Sequence, residues 1–383
     1  WFGRLRHGAD IEQPDNKGVR PVLLAVFIDN ENLVKVLLSA GADVNGTSTF
    51  PHEEIGVGGC TALWGAAATG NLQMCRLLLK HGADLDAMND ICATPLSIAI
   101  NNGHDEIIDF LLKQGAKVDF EIPPAEAILR EGSDELGGVT PLYIAVGNQD
   151  IGTIKKLLKL GSNVNRTGRN GFTPLKRAAY MGSLDVVKIL LKAGVDPNIA
   201  DHDNFTPLMN ATTQEHTDIV KLLLKHGADP NVQSKWRESS FFATSGKTAL
   251  MDAAADGNVD IARLLLAHKA DPNLKDEDGE TALHNAVTGE HTDMVNLLLR
   301  SGSDPGAYGS AAGSALELAL RSWVEKDEDE REGSIVDILK LLFKQGVPKG
   351  RETVADIVDR VAEDTDDNIL QLLSVHGIKL PRT

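Results

Sequence analysis

Apolar positions along this chain fall into two short patterns that alternate. In the first, a Thr-Pro-Leu triplet is followed by small apolar residues, as in Leu175, Ala178 and Ala179. In the second, a run such as Val186, Val187, Ile189, Leu190 and Leu191 leads to a glycine, Gly194. Both have the spacing of an amphipathic helix. Thr at the N-cap offers its oxygen to orphan backbone donors, and Pro at the first helical position already holds a helical φ and has no N–H to satisfy. Gly194 supplies the left-handed residue that ends the second helix. Asp-x-x-Gly stretches between pairs have turn chemistry. The pattern therefore predicts pairs of short helices joined by projecting turns.

The pairs recur at a fixed step. Thr61 and Thr94 are 33 residues apart, as are Thr140, Thr173 and Thr206 in turn, and Thr248, Thr281 and Ser314, with Thr353 at an equivalent place. A period of this size signals stacked units, none of which can bury its apolar face alone. The second helix ends repeatedly in Leu-Leu-x-x-Gly-Ala-Asp-x-Asn, as from Leu37 to Asn45 and from Leu223 to Asn231. With these two signatures in phase, the chain resembles the ankyrin repeat family over nearly its whole length. The resemblance implies an all-α fold of helix-turn-helix repeats with β-turn fingers, an ankyrin-like α-solenoid of about ten repeats. Residues 1–383 then form a single repeat domain. Residues 1–8 are the remnant of a preceding repeat, and the units run about 9–41, 42–82, 83–115, 116–161, 162–194, 195–227, 228–269, 270–302, 303–346 and 347–383, the last a capping repeat. The incomplete first unit predicts a piece of a longer or processed protein.

Some residues depart from the family pattern. Lys269 stands where the helix-ending Gly belongs, and Cys92 and Asn204 replace the finger Gly. Asn tolerates positive φ better than Cys or Lys, so strain or a different turn is expected at Cys92. Only His284 keeps the histidine that follows Thr-Pro-Leu in the family; Trp64, Ser97, Tyr143, Lys176, Met209, Met251 and Glu317 replace it. The inter-repeat hydrogen bond which that histidine implies is expected to be lost in most units.

Composition narrows the function. The net charge of −17 argues against nucleic acid, whose phosphates need a basic footprint. No run of 18 apolar residues predicts membrane insertion. Three cysteines make no disulfide framework and favour a reducing, intracellular and cytoplasmic setting. No metal or cofactor is called for. His52 beside Glu53 and Glu54 lacks a second ligand at helical spacing. Gly-x-Ser-x-Gly, His-Glu-x-x-His and paired Cys-x-x-Cys are all missing, and Gly246-Lys247-Thr248 lacks the upstream glycine of a phosphate loop.

Insertions in repeat proteins map to loops on one face. Three lengthen fingers: Gly46 to Cys60, Asp119 to Val139, and Val232 to Lys247. A fourth, around Glu325 to Gly333, separates the two helices of the ninth unit. The third finger carries Trp236, Phe241 and Phe242 in a chain with only 4% aromatics. These are residues that anchor interfaces, or that fold back as a small satellite core.

In the family, the residue after the Thr-Pro-Leu-His position faces a concave groove. Four consecutive units place Arg177, Asn210, Asp252 and Asn285 there. Lys176, Tyr180, Met181, Met209, Thr213, Gln214, Met251 and Asp256 are expected beside them, and fingers add Arg169, Phe172, His202, Asp203, Phe205, Lys247, Glu277 and Glu280. A polar row edged by methionines and aromatics suits recognition; such a row also suits bonding between units. The expected function is a non-catalytic module, a monomer, that binds a protein or peptide of basic or mixed charge. It would be part of a larger regulatory or scaffold protein. The alternative is a small-molecule or catalytic site in the groove of units five to eight.

Overall fold

The computed structural model describes residues 10–49, 58–120, 140–168, 171–235, 245–310, 313–325 and 333–345. Regular structure among the described residues is eighteen helices and one antiparallel pair of two-residue strands. Along the chain short first and second helices alternate, as the hydrophobic pattern requires. They are α1 (Pro21–Phe27) and α2 (Glu31–Ser39), α3 (Ala62–Ala68) and α4 (Leu72–Lys80), α5 (Pro95–Asn101) and α6 (Asp105–Gln114), α7 (Pro141–Gly147) and α8 (Ile151–Lys159), and α9 (Pro174–Tyr180) and α10 (Leu184–Lys192). Then follow α11 (Pro207–Thr213) and α12 (Thr217–Lys225), α13 (Ala249–Ala255) and α14 (Val259–Ala267), α15 (Ala282–Thr288) and α16 (Thr292–Arg300), and α17 (Ala315–Glu325) and α18 (Ser334–Lys344). The fourth insertion lies between α17 and α18, where the sequence puts it.

The chain divides into two compact units. One is Trp1–Met181 with Lys192–Val195, the other Gly182–Leu191 with Asp196–Thr383. In the first, α1, α3, α5, α7 and α9 pack each on the next. In the second, α11, α13, α15 and α17 do the same, as do α12, α14, α16 and α18. The leucine of each triplet drives this packing. Leu63, Leu96, Leu142 and Leu175 in the first unit and Leu208, Leu250, Leu283 and Leu316 in the second are all buried. Truncating any one to Ala costs about 2–5 kcal/mol through lost transfer energy and the cavity left behind. Alanines such as Ala178, Ala211 and Ala253 let neighbouring first helices approach closely.

The threonine caps form as the sequence requires. Thr61, Thr94, Thr140, Thr173, Thr206 and Thr248 each accept, on Oγ1, the backbone N–H three residues on, at 3.1–3.3 Å. Each cap contributes about 1 kcal/mol. Arg20 holds the equivalent place in the first repeat and makes no side-chain cap. Its guanidinium instead pairs with Glu12 at 2.8 Å.

The family histidine has a divided legacy. His284 is buried; its Nδ1 accepts from the Thr281 N–H at 3.1 Å, and its Nε2 lies 3.1 Å from the carbonyl of Gly313 in the next repeat. Met251 Sδ and Glu317 Oε2 take the corresponding N–H groups of Thr248 and Ser314. Both residues thus keep the capping half of the role.

The irregular turns keep their shape. Cys92, Asn204 and Lys269 all adopt positive φ, of 62°, 58° and 70°. Cys92 N–H donates to Asn89 O, and Asn89 N–H to Ala93 O, as Asn204 N–H does to Asp201 O and Asp201 N–H to Phe205 O. Of the two expectations at Cys92, strain holds and a different turn does not. A left-handed L-residue costs about 1–2 kcal/mol.

Asparagines of the Asp-x-Asn motif clamp successive units. In the first unit, Asn45 donates to Gly82 O and accepts from Asp84 N–H. In the second, Asn231 donates to Lys269 O at 3.0 Å and accepts from Asp271 N–H at 2.8 Å; Asn198 and Asn273 repeat the arrangement.

Candidate functional site

Each unit carries its own part of the first-helix face. In the second, Asn210, Asp252 and Asn285 occupy the fourth position of α11, α13 and α15. The residues on either side of each point into the stack, so these three stay only half-buried. Phe205, Lys247 and Glu280 precede the caps of the same helices and are also half-buried. Two parallel rows result, one from helix positions and one from finger bases.

These rows are chemically uneven. Asn285 Nδ2 donates to the carbonyl of Met251, one repeat back, at 3.2 Å. That is the bonding between repeats which such a polar row also suits. Asp252 differs: among the described residues its carboxylate has no hydrogen bond or ion pair. Burial pushes its pKa up to about 7, although the positive charge of Lys247 pulls against the shift, and Asp256 adds to it. Asp276 and Glu280 are likewise raised, first by burial, and each also feels Lys247. One lysine therefore offsets three carboxyls held away from water.

In the first unit, Arg177 lies over the ring of Tyr143, its Cζ 4.9 Å from the centroid, and its Nη1 donates to the phenolic oxygen at 3.1 Å. Gly147, at the end of α7, makes room for it, since a Cβ there would come within 2.4 Å of Nε. Lys176 extends over Phe172 at 4.8 Å. Tyr180 is 57% exposed at the end of α9.

Several expectations change. Met209 and Met251 are 2% and 1% exposed and Lys176 is also buried, so none of them edges the face. They hold the position of the family histidine, which points between repeats. His202 is exposed and Asp203 half-buried on one finger. Trp236, Phe241, Phe242 and Arg169 lie outside the described residues. Sequence reasoning missed Tyr143 and Gly147 as partners of Arg177. The signal was available, because Tyr143 precedes Arg177 by one repeat period plus one residue.

The first and third inserted fingers share one neck. Ser48 N–H donates to Cys60 O and Ser48 Oγ accepts from Cys60 N–H; Ser234 and Lys247 make the same two bonds. In an ordinary finger Asp201 does this with Phe205. Serine takes over the role of the aspartate at the base of both fingers. Lys247 is held by this neck beside Asp252.

Among the described residues, no three His, Cys, Asp or Glu side chains converge to hold a metal. Cys60, Cys75 and Cys92 are buried and in no disulfide, and burial pushes the thiols of Cys60 and Cys75 up to about 12. No described helix is long and apolar enough to cross a membrane.

Comparison with known proteins agrees with this architecture. The ankyrin repeats profile, three copies per match, covers residues 48–122, 125–201, 142–234 and 236–308. Rabankyrin-5 of Mus musculus is 32% identical over 192 residues, 42% of this chain and 16% of that protein. The probable E3 ubiquitin-protein ligase XBOS34 of Oryza sativa subsp. japonica is 38% identical over 102 residues, 26% of this chain and 19% of that protein. Ankyrin repeat protein nuc-2 of Neurospora crassa is 28% identical over 182 residues, again 42% of this chain and 16% of the relative. The chain thus spans about a fifth or less of the length of these relatives. Ankyrin repeats in general serve as protein–protein interaction modules, and with their profile matching more than half of its length this chain belongs to the ankyrin repeat family.

Proposed function

We propose that this chain is a non-catalytic recognition module that binds a protein or peptide along its first-helix and finger face. The observation that carries the reading is Asp252. An asparagine there would match Asn210 and Asn285 and would avoid burying a carboxyl without a partner. Keeping a group with so perturbed a pKa on a half-buried face costs stability and points to a role in contact. Lys247, fixed on its finger neck, supplies a second fixed charge, and Asn210 and Asn285 supply hydrogen-bonding register. Trp236, Phe241 and Phe242, on the finger that springs from the Ser234 neck, are the aromatic anchors of the proposal. Oriented charges of this kind set partner choice more than raw affinity. The carboxyl cluster suits a basic side chain of the partner at this point.

The test is a pull-down from lysate with the wild-type chain beside Asn210→Ala/Asp252→Ala, read by mass spectrometry, with circular dichroism as a control for folding. Proteins retained by the wild type and lost by a folded double variant support the reading. An unchanged set of retained proteins removes the face from consideration.

A further inference from the structure

Charge along the sequence is strongly segregated. Residues 151–181 hold seven basic residues (Lys155, Lys156, Lys159, Arg166, Arg169, Lys176 and Arg177) and no acidic one, in a chain of net charge −17. Part of this charge is already used. Lys156 pairs with Asp109, and Lys176 is buried over Phe172. Arg177 is placed differently. No carboxylate among the described residues pairs with it, and its Nε is buried with no hydrogen-bond acceptor among them. The guanidinium is nevertheless fixed, by the Tyr143 ring on one side, the Tyr143 hydroxyl at Nη1 and the bare Cα of Gly147 against Nε.

A guanidinium has five donors, and only one of them is satisfied by Tyr143. Arginine that is held flat and partly desolvated loses little further entropy on taking a carboxylate in a two-point fork. Ile98 and Ile144 hold the same helical position in the two preceding repeats of this unit, Ile98 half-buried and Ile144 buried, so neither offers a charge that competes with Arg177.

We propose that Arg177, seated on Tyr143 and Gly147, is a subsite for an Asp or Glu side chain of an extended acidic peptide segment in a partner protein. The inference rests on the reading of the chain as a recognition module. It revises the expectation of a basic or mixed-charge partner at this place, because the local charge is opposite to the charge of the whole chain. Charge complementarity selects the occupant.

The experiment uses the full chain and an immobilised library of 15-residue peptides. Every Asp- or Glu-bearing member has a twin in which Asn or Gln replaces the acid, and a second twin with phosphoserine. We expect retained acidic peptides whose Asn/Gln twins bind at least tenfold more weakly. Arg177→Lys should remove most of that difference, since it keeps the charge but loses the fork and the stacking. Gly147→Ala should do the same, because the guanidinium is what the new methyl meets first, and circular dichroism checks that the variant is folded. Equal binding of acids and amide twins, tighter binding of the phosphoserine twins, or retention of the acid preference in Arg177→Lys each overturns the subsite. So does a library from which no acidic peptide is retained. Those failures leave the lysate result on Asn210 and Asp252 untouched, so loss of the subsite and loss of the module reading are told apart.

Discussion

The side-chain nitrogen of Asn285 donates to the backbone carbonyl of Met251 at 3.2 Å, and Asp252, the next residue along, is left without a partner among the described residues. One member of the polar row therefore couples repeats, while its neighbour keeps its carboxyl available. This division is the basis for treating Asp252 as functional.

Replacing it should then stabilise the chain. The unfolded carboxyl titrates near 3.8 and the folded one at about 7. Between those values the folded state retains a proton that the unfolded state has released, so stability falls as pH rises through the window and the full cost is present above pH 7. Asp252→Asn should raise stability at pH 8 by about 2–4 kcal/mol and by less at pH 5. Thermal unfolding at the two pH values measures this. An equal gain at both, or none, would show that the carboxyl is not desolvated.

His284 should behave in the opposite sense. Burial lowers its pKa, so the unfolded chain takes up a proton first as the medium is acidified. Its contribution is complete above pH 6.5 and shrinks as pH drops below that value. His284→Ala should cost about 2–4 kcal/mol at pH 7.5, since Gly313 O and Thr281 N–H lose their partner and a cavity opens. The loss should be smaller at pH 5. Denaturant titration at the two pH values reads both effects, and a cost that grows on acidification would contradict the assignment.

Lys269 offers a test of backbone strain. It is exposed and left-handed at φ 70°, where the other repeats have glycine. Lys269→Gly should add about 1 kcal/mol, less the extra freedom glycine has in the unfolded chain. A melting temperature that falls in the variant would mean that the lysine side chain makes up for its own strain.

The clamp asparagines are expected to matter locally. Asn231→Ala frees Lys269 O and Asp271 N–H, both at an exposed turn where water can replace the lost bonds. A cost of about 1 kcal/mol follows. Hydrogen exchange should show the Asp271 amide losing protection while amides inside α14 keep theirs. Uniform loss across the repeat would assign the clamp a larger part in holding units together.

Much of the fold was legible because local and global signals agree. Thr-Pro-Leu sets a cap, a first turn and a core leucine with three adjacent residues, and the 33-residue step fixes what each pair packs against. What the pattern could not give was side-chain direction where the family histidine is replaced. Met209, Met251 and Lys176 looked like groove residues by composition but turn into the stack, because their position lies between repeats whatever residue fills it. The partnership of Arg177 with Tyr143 and Gly147 was hidden for a related reason. It joins adjacent repeats at unequal register, and a reading that compares only equivalent positions passes over it. Serine standing in for aspartate at the two finger necks was equally hard to see, since the insertions shift the period at that point.

The most direct measurement of the central claim is site-specific photo-crosslinking. A photoreactive residue at Gln214, exposed at the end of α11, is compared with one at Lys221, exposed on α12. The account predicts that Gln214 captures a protein from lysate, that Asp252→Ala abolishes the capture, and that Lys221 captures nothing dependent on Asp252. Capture from Lys221 with Gln214 silent would place recognition on the second helices and contradict it.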